Sequence, residues 1–464
     1  MSKPLRRLYW FFALLFLALL VQLTYVQVFA APKLQTNPSN TRAIAAEMEV
    51  DRGSIVSADG TELAVNRKDG KYYLRDYPAG DLTSPWLGYN SLRYGRAGIE
   101  RVYNEELSGK SGLLGITSYW DQLMNRTHVG ADVVLTVDMK VQRAAAEALG
   151  ERKGAVVALD PRSGAILAMV SYPRYDPNEI DAVWSEINND PGTPLVNRAV
   201  QGRYPPGSVF KMVVAAAALE NGTVTRDTTF TDTGSVKAGG FEVNNYDDRV
   251  YGEHDFAKAF SSSINTTFAK VGVALGAETL ARYALDFGFN TELPWKMGGA
   301  VSLFPSAGEM DKAHLGQVSY GQGEVLASPL AIALVTSAMA NDGLIMKPHL
   351  VSRVLTRDGG VIDEATPDVW LRPVSSDTAR IVSELMVQTV KSGTGTAAAL
   401  EGVQVAGKTG TAEVADGEPH AWFAAFAPAD YPEVVVAVVV ENAGTGGGVA
   451  APIARQVIAA ALGL

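Results

Sequence analysis

Three short patterns in this chain place hydroxyls beside amines or amides at spacings suited to proton transfer. Only one serine of the 464 residues is followed by a lysine three positions on, in Ser208-Val209-Phe210-Lys211. Positions i and i+3 share a helix face, so the Lys211 amine can reach the Ser208 hydroxyl. A lysine on a buried helix loses hydration, which disfavours its charged form and leaves a neutral amine able to take the serine proton. The start of the same helix adds partial positive charge where an oxyanion would develop. Taken alone, Ser-x-x-Lys more often marks a capping serine and a snorkelling lysine.

The second pattern, Ser263-Ile264-Asn265, is the only Ser-x-Asn in the chain. Its hydroxyl and amide could relay a proton and hold a substrate amide, although ordinary polar surface explains it as well. The third is Lys408-Thr409-Gly410-Thr411 on a strand-like stretch from Val403 to Val414. Lys408 offers a cation to a carboxylate and Thr409 a hydroxyl. Gly410 removes a side chain so that an extended substrate can pair alongside the strand. Its plain alternative is a glycine bulge beside an exposed lysine. Lys110-Ser111-Gly112 and Lys391-Ser392-Gly393 imitate the third pattern. The former lies in a loop-rich region ahead of the other motifs, and Gly393 of the latter reads as the end of a helix.

The elements that must position these residues can be read from the patterning. Tyr204-Pro205-Pro206-Gly207 precedes an almost wholly apolar helix, Val209 to Glu220, which Gly222 stops. A helix-like stretch begins near Asp255 and runs on past Ser263 through Val273. Strands are expected at Val133–Val137, Ala155–Leu159 and Ala165–Val170, with a helix from Asp138 to Gly150 between the first two. Three more fall at Val403–Val414, Ala421–Ala427 and Val434–Glu441, and a closing helix covers Pro452–Leu462. Val434 to Val440 is apolar at every position, so that strand is expected to be covered on both faces. The region between the two strand groups reads as mostly helical. The fold class is α/β (α+β): an antiparallel sheet built from both chain ends, with helices on each side.

The rest of the sequence limits the chemistry and the compartment. The chain contains no cysteine, which removes disulfides, thiolate metal sites and a thiol nucleophile, and five histidines argue against a histidine metal cage. A net charge of −10 argues against nucleic-acid binding. Lys3, Arg6 and Arg7 precede an apolar run from Leu8 to Ala31, long enough to span a bilayer with its start in the cytoplasm. The rival, a cleaved signal peptide, lacks a good small-x-small site at Val28-Phe29-Ala30. The bulk of the chain is therefore expected outside the cytoplasm, on one membrane anchor. Leu34 to Ile44 reads as a polar tether, and Asp59-Gly60 as a hairpin turn. Lys237 to Asp255, with Gly239-Gly240 and Asn244-Asn245, reads either as a plain surface loop or as a gate over a cleft.

In this order, Ser-x-x-Lys, Ser-x-Asn and Lys-Thr-Gly form the active-serine penicillin-recognising signature. The chain resembles penicillin-binding proteins of the class that carries a transpeptidase but no glycosyltransferase. Arg52-Gly53-Ser54-Ile55, Gly98-Ile99-Glu100-Arg101, Gly154 to Pro161 and His420-Ala421-Trp422-Phe423 extend the likeness over most of the chain. Leu195 to Ala199 and a short pedestal, finished by Thr127 to Gly130, are most similar to the penicillin-binding protein A group of high-GC Gram-positive bacteria. The resemblance implies an anchor at 1–31, a small pedestal (dimerisation-type) domain at 32–131 and a transpeptidase domain at 132–464. It implies a peptidoglycan D,D-transpeptidase in which Ser208 is acylated by a stem peptide, Lys211 is the base and Ser263 shuttles the proton. Asn265 would hold the peptide amide, and Lys408, Thr409 and Thr411 the terminal carboxylate. Backbone amides of Ser208 and Thr411 would form the oxyanion hole. No metal or organic cofactor is implied. Implied partners are stem peptides, β-lactams, a polytopic membrane glycan polymerase and division or elongation proteins. The same motifs serve a D,D-carboxypeptidase and, less well, a β-lactamase. A non-enzymatic β-lactam receptor or division scaffold would not need all three intact.

Overall fold

A computed structural model describes residues 3–30, 48–110 and 129–464, with side chains of the first segment described to Gln27. The expected tether at 34–44, most of the Lys110-Ser111-Gly112 imitation, and Thr127 and His128 lie outside the described residues. The amino-terminal helix α1 runs Lys3–Thr24 and continues as a π-helical turn to Ala30. It buries none of its residues against the rest of the chain, and Lys3–Gln27 is long and apolar enough to cross a membrane.

Beyond this helix the chain is organised by two sheets. In the first, β1 (Ile55–Val56), β2 (Glu62–Asp69) and β3 (Tyr72–Asp76) form a meander through the expected hairpin. Strand β4 (Asp132–Leu135) joins β1 in parallel, and its other edge takes β7 (Val351–Leu355), then β8 (Val361–Glu364), giving the order β8-β7-β4-β1-β2-β3. The sequence boundary at 131/132 thus falls at the mouth of a strand in the middle of a shared sheet. Under this sheet, Glu100 is wholly buried between Arg52 (2.7 Å) and Arg75 (2.5 Å).

Helix α2 (Met139–Leu149) is capped by Asp138, whose carboxylate accepts from the Lys140 amide at 2.7 Å. The second sheet combines β5 (Gly154–Leu159) and β6 (Ile166–Tyr172) with the late strands β9 (Ala406–Ala412), β10 (His420–Ala427) and β11 (Val434–Val440). Its order is β9-β10-β11-β5-β6, antiparallel throughout, with β9 at one edge. Val436, Val438 and Val440 pack with Val457 and Ile458 of the last helix, Ala451–Ala461, and with residues of α2. Val435, Ala437 and Val439 face the opposite core, with Leu330 and Leu334 of helix Pro329–Ala340. That two-sided cover is why this strand is apolar without alternation.

The region between the strand groups is less helical than its pattern suggests. Besides its helices it holds eight strands of two to five residues, among them the paired Thr229–Asp232 and Gly252–Asp255 and the hairpin Ser235–Ala238/Phe241–Asn244. Segments this short carry too few alternations for periodicity to separate them from loops.

Candidate active site

The Ser208 segment is a 3-10 turn, Gly207–Phe210, running into α3 (Lys211–Glu220). Residues Lys211 to Ala218 of α3 are all buried, so an apolar helix with one lysine is placed in the core. Gly207 sits at φ +54°, and a Cβ there would lie 2.5 Å from the Thr411 carbonyl oxygen. Only glycine allows the turn that carries Ser208 to press against β9. The Gly207 amide donates to the Gly321 carbonyl at 2.9 Å, and the Trp422 indole donates to the Pro205 carbonyl at 3.0 Å. Ser208 is half-buried, and its hydroxyl has no side-chain hydrogen bond among the described residues.

The stretch expected as one helix past Ser263 is two helices. The first, α4 (Phe256–Ser261), and the second, α5 (Asn265–Leu275), are separated by three residues. Between them Ser263 adopts φ +59°, a left-handed conformation rare for a residue with a side chain. The break turns both the hydroxyl and the carbonyl of Ser263 toward Lys211, which an unbroken helix could not do. Lys211 Nζ lies 2.8 Å from Ser263 O, 3.2 Å from Ser263 Oγ and 2.7 Å from Asn265 Oδ1. Lys408 Nζ donates to Ser263 Oγ at 2.9 Å and to the Thr409 carbonyl at 3.0 Å. Three segments distant in sequence therefore meet at one hydroxyl.

Both lysines are fully buried, and neither has a carboxylate partner among the described residues. Phe268 and Phe260 offer ring faces instead, 5.2 Å from Lys211 and 5.7 Å from Lys408. Burial, and then the charge of Lys408, holds Lys211 well below the ordinary lysine range. Burial pushes Lys408 down to about 7. A neutral Lys211 would keep two N–H donors, matched by Ser263 O and Asn265 Oδ1, and a lone pair for an incoming proton or for the Ser263 hydroxyl at 3.2 Å.

Strand alternation divides the third motif. Lys408 and Gly410 point to one side of β9, and Thr409 and Thr411 to the other. Lys408 is directed into the cluster at Ser263 and is not the exposed lysine of a bulge. Gly410 differs from expectation. A Cβ there would lie 2.8 Å from Trp422 Cβ and 3.0 Å from both Pro206 O and Val209 Cγ1. Its bareness admits the turn that carries Ser208, and Trp422, into the space a side chain would fill. Thr409 Oγ1 is 2.6 Å from Thr394 Oγ1, and the Thr394 amide donates to Ser261 O at 3.2 Å. Thr394 directly follows Lys391-Ser392-Gly393, where Gly393 caps the helix Ser376–Ser392 as expected. The segment that imitates the third motif thus buttresses it, and no spacing in the sequence signals this. Gly446, with a would-be Cβ 2.0 Å from Trp422 O, is another unforeseen close approach. No cluster of metal-ligating side chains occurs among the described residues.

An all-antiparallel sheet with a serine-bearing turn and a buried lysine helix against its edge strand defines a class that comparison identifies. Residues 154–459 match the penicillin-binding protein transpeptidase domain, and residues 52–133 the penicillin-binding protein A dimerisation domain. The chain belongs to the penicillin-binding protein transpeptidase family. It is 38% identical over 497 residues to the peptidoglycan D,D-transpeptidase PbpA of Mycolicibacterium smegmatis, covering 100% of this chain and 99% of the relative. The PbpA of Mycobacterium tuberculosis is 38% identical over 494 residues at the same coverage. Among solved structures, the ceftriaxone acyl-enzyme complex of penicillin-binding protein A from M. tuberculosis superposes with a TM-score of 0.85 at 37% identity, over 90% of this chain and 99% of that one. The D,D-transpeptidase domain from Eggerthella lenta gives 0.83 at 39% identity, over 89% and 99%.

Proposed function

We propose that this protein is a membrane-anchored peptidoglycan D,D-transpeptidase that crosslinks stem peptides through an ester on Ser208 and is acylated there by β-lactams. One observation carries the reading: Lys211 and Lys408 converge on Ser263 Oγ, with Asn265 Oδ1 on Lys211, beside the turn that bears Ser208. In acylation, the lone pair of Lys211 takes the Ser208 proton as Oγ attacks the carbonyl carbon of the penultimate D-Ala. The oxyanion is held by the amides of Ser208 and Thr411. The carbon–nitrogen bond breaks, and the proton passes from Lys211 through Ser263 to the departing amine of D-Ala. An amine of a neighbouring stem then attacks the ester, returns a proton through the same groups and releases Ser208. Thr409 and Thr411 share a strand face suited to the terminal carboxylate, with the Lys408 charge behind it. Asn265 presents its remaining amide hydrogen to the peptide.

Helix α1 would place the body outside the cytoplasm, and its exposed apolar surface suits contact with a polytopic glycan polymerase and division or elongation proteins. The test is labelling with fluorescent penicillin. The wild-type chain is expected to label and Ser208→Ala to remain dark. Labelled Ser208→Ala would overturn the nucleophile. Donor and acceptor stem peptides should yield crosslinked product, and trimming alone would indicate a carboxypeptidase.

A further inference from the structure

The stretch from Lys237 to Asp255, which the sequence leaves between loop and gate, lies largely within a segment, 233–251, that is neither a free loop nor a detached flap. Two adjacent residues of it bind two adjacent residues at the start of α5. The Asn244 carbonyl accepts from Asn265 Nδ2 at 3.0 Å, and Asn245 Oδ1 accepts from the Thr266 amide at 3.1 Å. Asn245 is itself fully used. Its Nδ2 donates to Asp232 Oδ2 and to the Arg249 carbonyl, both at 2.9 Å, and its amide donates to the Gly234 carbonyl at 3.1 Å.

Asp232 is the post to which this is tied. It is 2% exposed and accepts from Thr266 Oγ1 at 2.6 Å, Tyr251 N at 2.8 Å and Gly234 N at 3.1 Å, in addition to Asn245. A buried carboxylate served by four neutral donors is costly to misplace, because each unmatched partner would be left dry. The hairpin beyond it is packed closely too, since a Cβ on Gly239 would lie 2.5 Å from the Ala313 amide nitrogen.

The consequence falls on Asn265. A carboxamide can face either way, and the partners decide which end is oxygen. The Asn244 carbonyl accepts only from the NH2 end, so Oδ1 must face Lys211, 2.7 Å away. One hydrogen of Nδ2 is then committed and the other remains for a ligand carbonyl. We propose that Asp232 and Asn245 are positioning residues that fix the Asn265 carboxamide for the acylamido group of the donor substrate, so that the 233–251 segment is part of the specificity apparatus. This rests on the transpeptidase reading above.

A ligand pair isolates the effect. Benzylpenicillin carries an acylamido group, whereas 6-aminopenicillanic acid has the same reactive ring with a free amine in its place. With the full-length chain in detergent, Asn245→Ala is expected to slow acylation by benzylpenicillin about tenfold. Acylation by 6-aminopenicillanic acid should change by less than about threefold. General loosening of the fold would slow both alike. In an Asn265→Ala background, Asn245→Ala should no longer alter the ratio of the two rates. If Asn245→Ala does not fold, Asn245→Ser, which keeps a short donor near Asp232, is read in the same way. An unchanged ratio in a folded variant, or a ratio that still shifts without Asn265, overturns the proposal. A wild-type chain acylated by neither compound would refute the transpeptidase reading itself and this inference with it.

Discussion

Replacing Lys408 with methionine separates what the buried amine does for the fold from what it does for the reaction. Its ordinary value of 10.5 is pushed down to about 7 by burial. At about 1.4 kcal/mol per tenfold change in proton affinity, that displacement corresponds to on the order of 5 kcal/mol working against the charged form. The sign follows from proton counts. Below pH 7 the folded and unfolded chains both hold this proton, and the folded chain bears the cost of burying it. Between about 7 and 10.5 the unfolded chain holds a proton that the folded chain lacks, so stability rises with pH. This group alone should add roughly 2–3 kcal/mol between pH 7 and 9. Lys408→Met should lose that part of the slope and, at pH 7, unfold at higher denaturant, by about 1–4 kcal/mol, because a buried charge without a carboxylate gives way to an apolar chain of similar length. Function should move the other way. Loss of the charged donor to Ser263 Oγ, worth about 1.5–3 kcal/mol, should slow penicillin acylation roughly 10- to 150-fold. Removing a positive charge near Lys211 also lets its pKa rise, so the acidic limb of the acylation profile should shift to higher pH. The assays are urea unfolding at pH 7 and 9 and stopped-flow acylation from pH 5 to 9. A variant less stable at pH 7, with an unchanged pH slope and acylation within threefold of wild type, would refute this account of the site.

Ser263→Gly should unfold at higher denaturant than Ser263→Ala by about 1 kcal/mol, since only glycine relieves φ +59°, while both lose acylation equally. Gly410→Ala should cost about 1–3 kcal/mol and slow acylation at least about tenfold, because the new methyl displaces Trp422 or the Ser208 turn; penicillin labelling rates check it. Glu100→Gln should destabilise by about 3–5 kcal/mol in denaturant titration, leaving Arg52 and Arg75 buried without a counter-charge, while acylation of the folded fraction is unchanged.

The parts of this protein that announce themselves in sequence are those whose chemistry is local. The apolar helix after Ser208, the caps at Asp138 and Gly393, and the unalternating strand at 434–440 each follow from residues within a few positions. The three motifs are visible because spacing within each is short. What spacing cannot carry is the direction of a side chain relative to a distant segment. Lys408 on an edge strand reads as an exposed lysine, but it is buried beside Phe260 and Ser263, the latter 145 residues away. The break at Ser263 is hidden because apolar periodicity resumes on the far side, and a single left-handed residue leaves no pattern. Gly410 reads as room for a ligand, but its neighbours Trp422 and Pro206 take that room. Asn244 and Asn245 look like loop composition, since their partners at 265 and 266 are not adjacent in sequence.

Strand β4 is stitched on one edge to Ile55–Val56 and on the other to Val351–Leu355. A cut between residues 131 and 132 would leave raw edges on both products, so neither piece should survive as a tidy module. The same stitching denies the molecule a waist, because the strands at 55–76 and those at 351–364 are tied through β4 and must shift as a single solid.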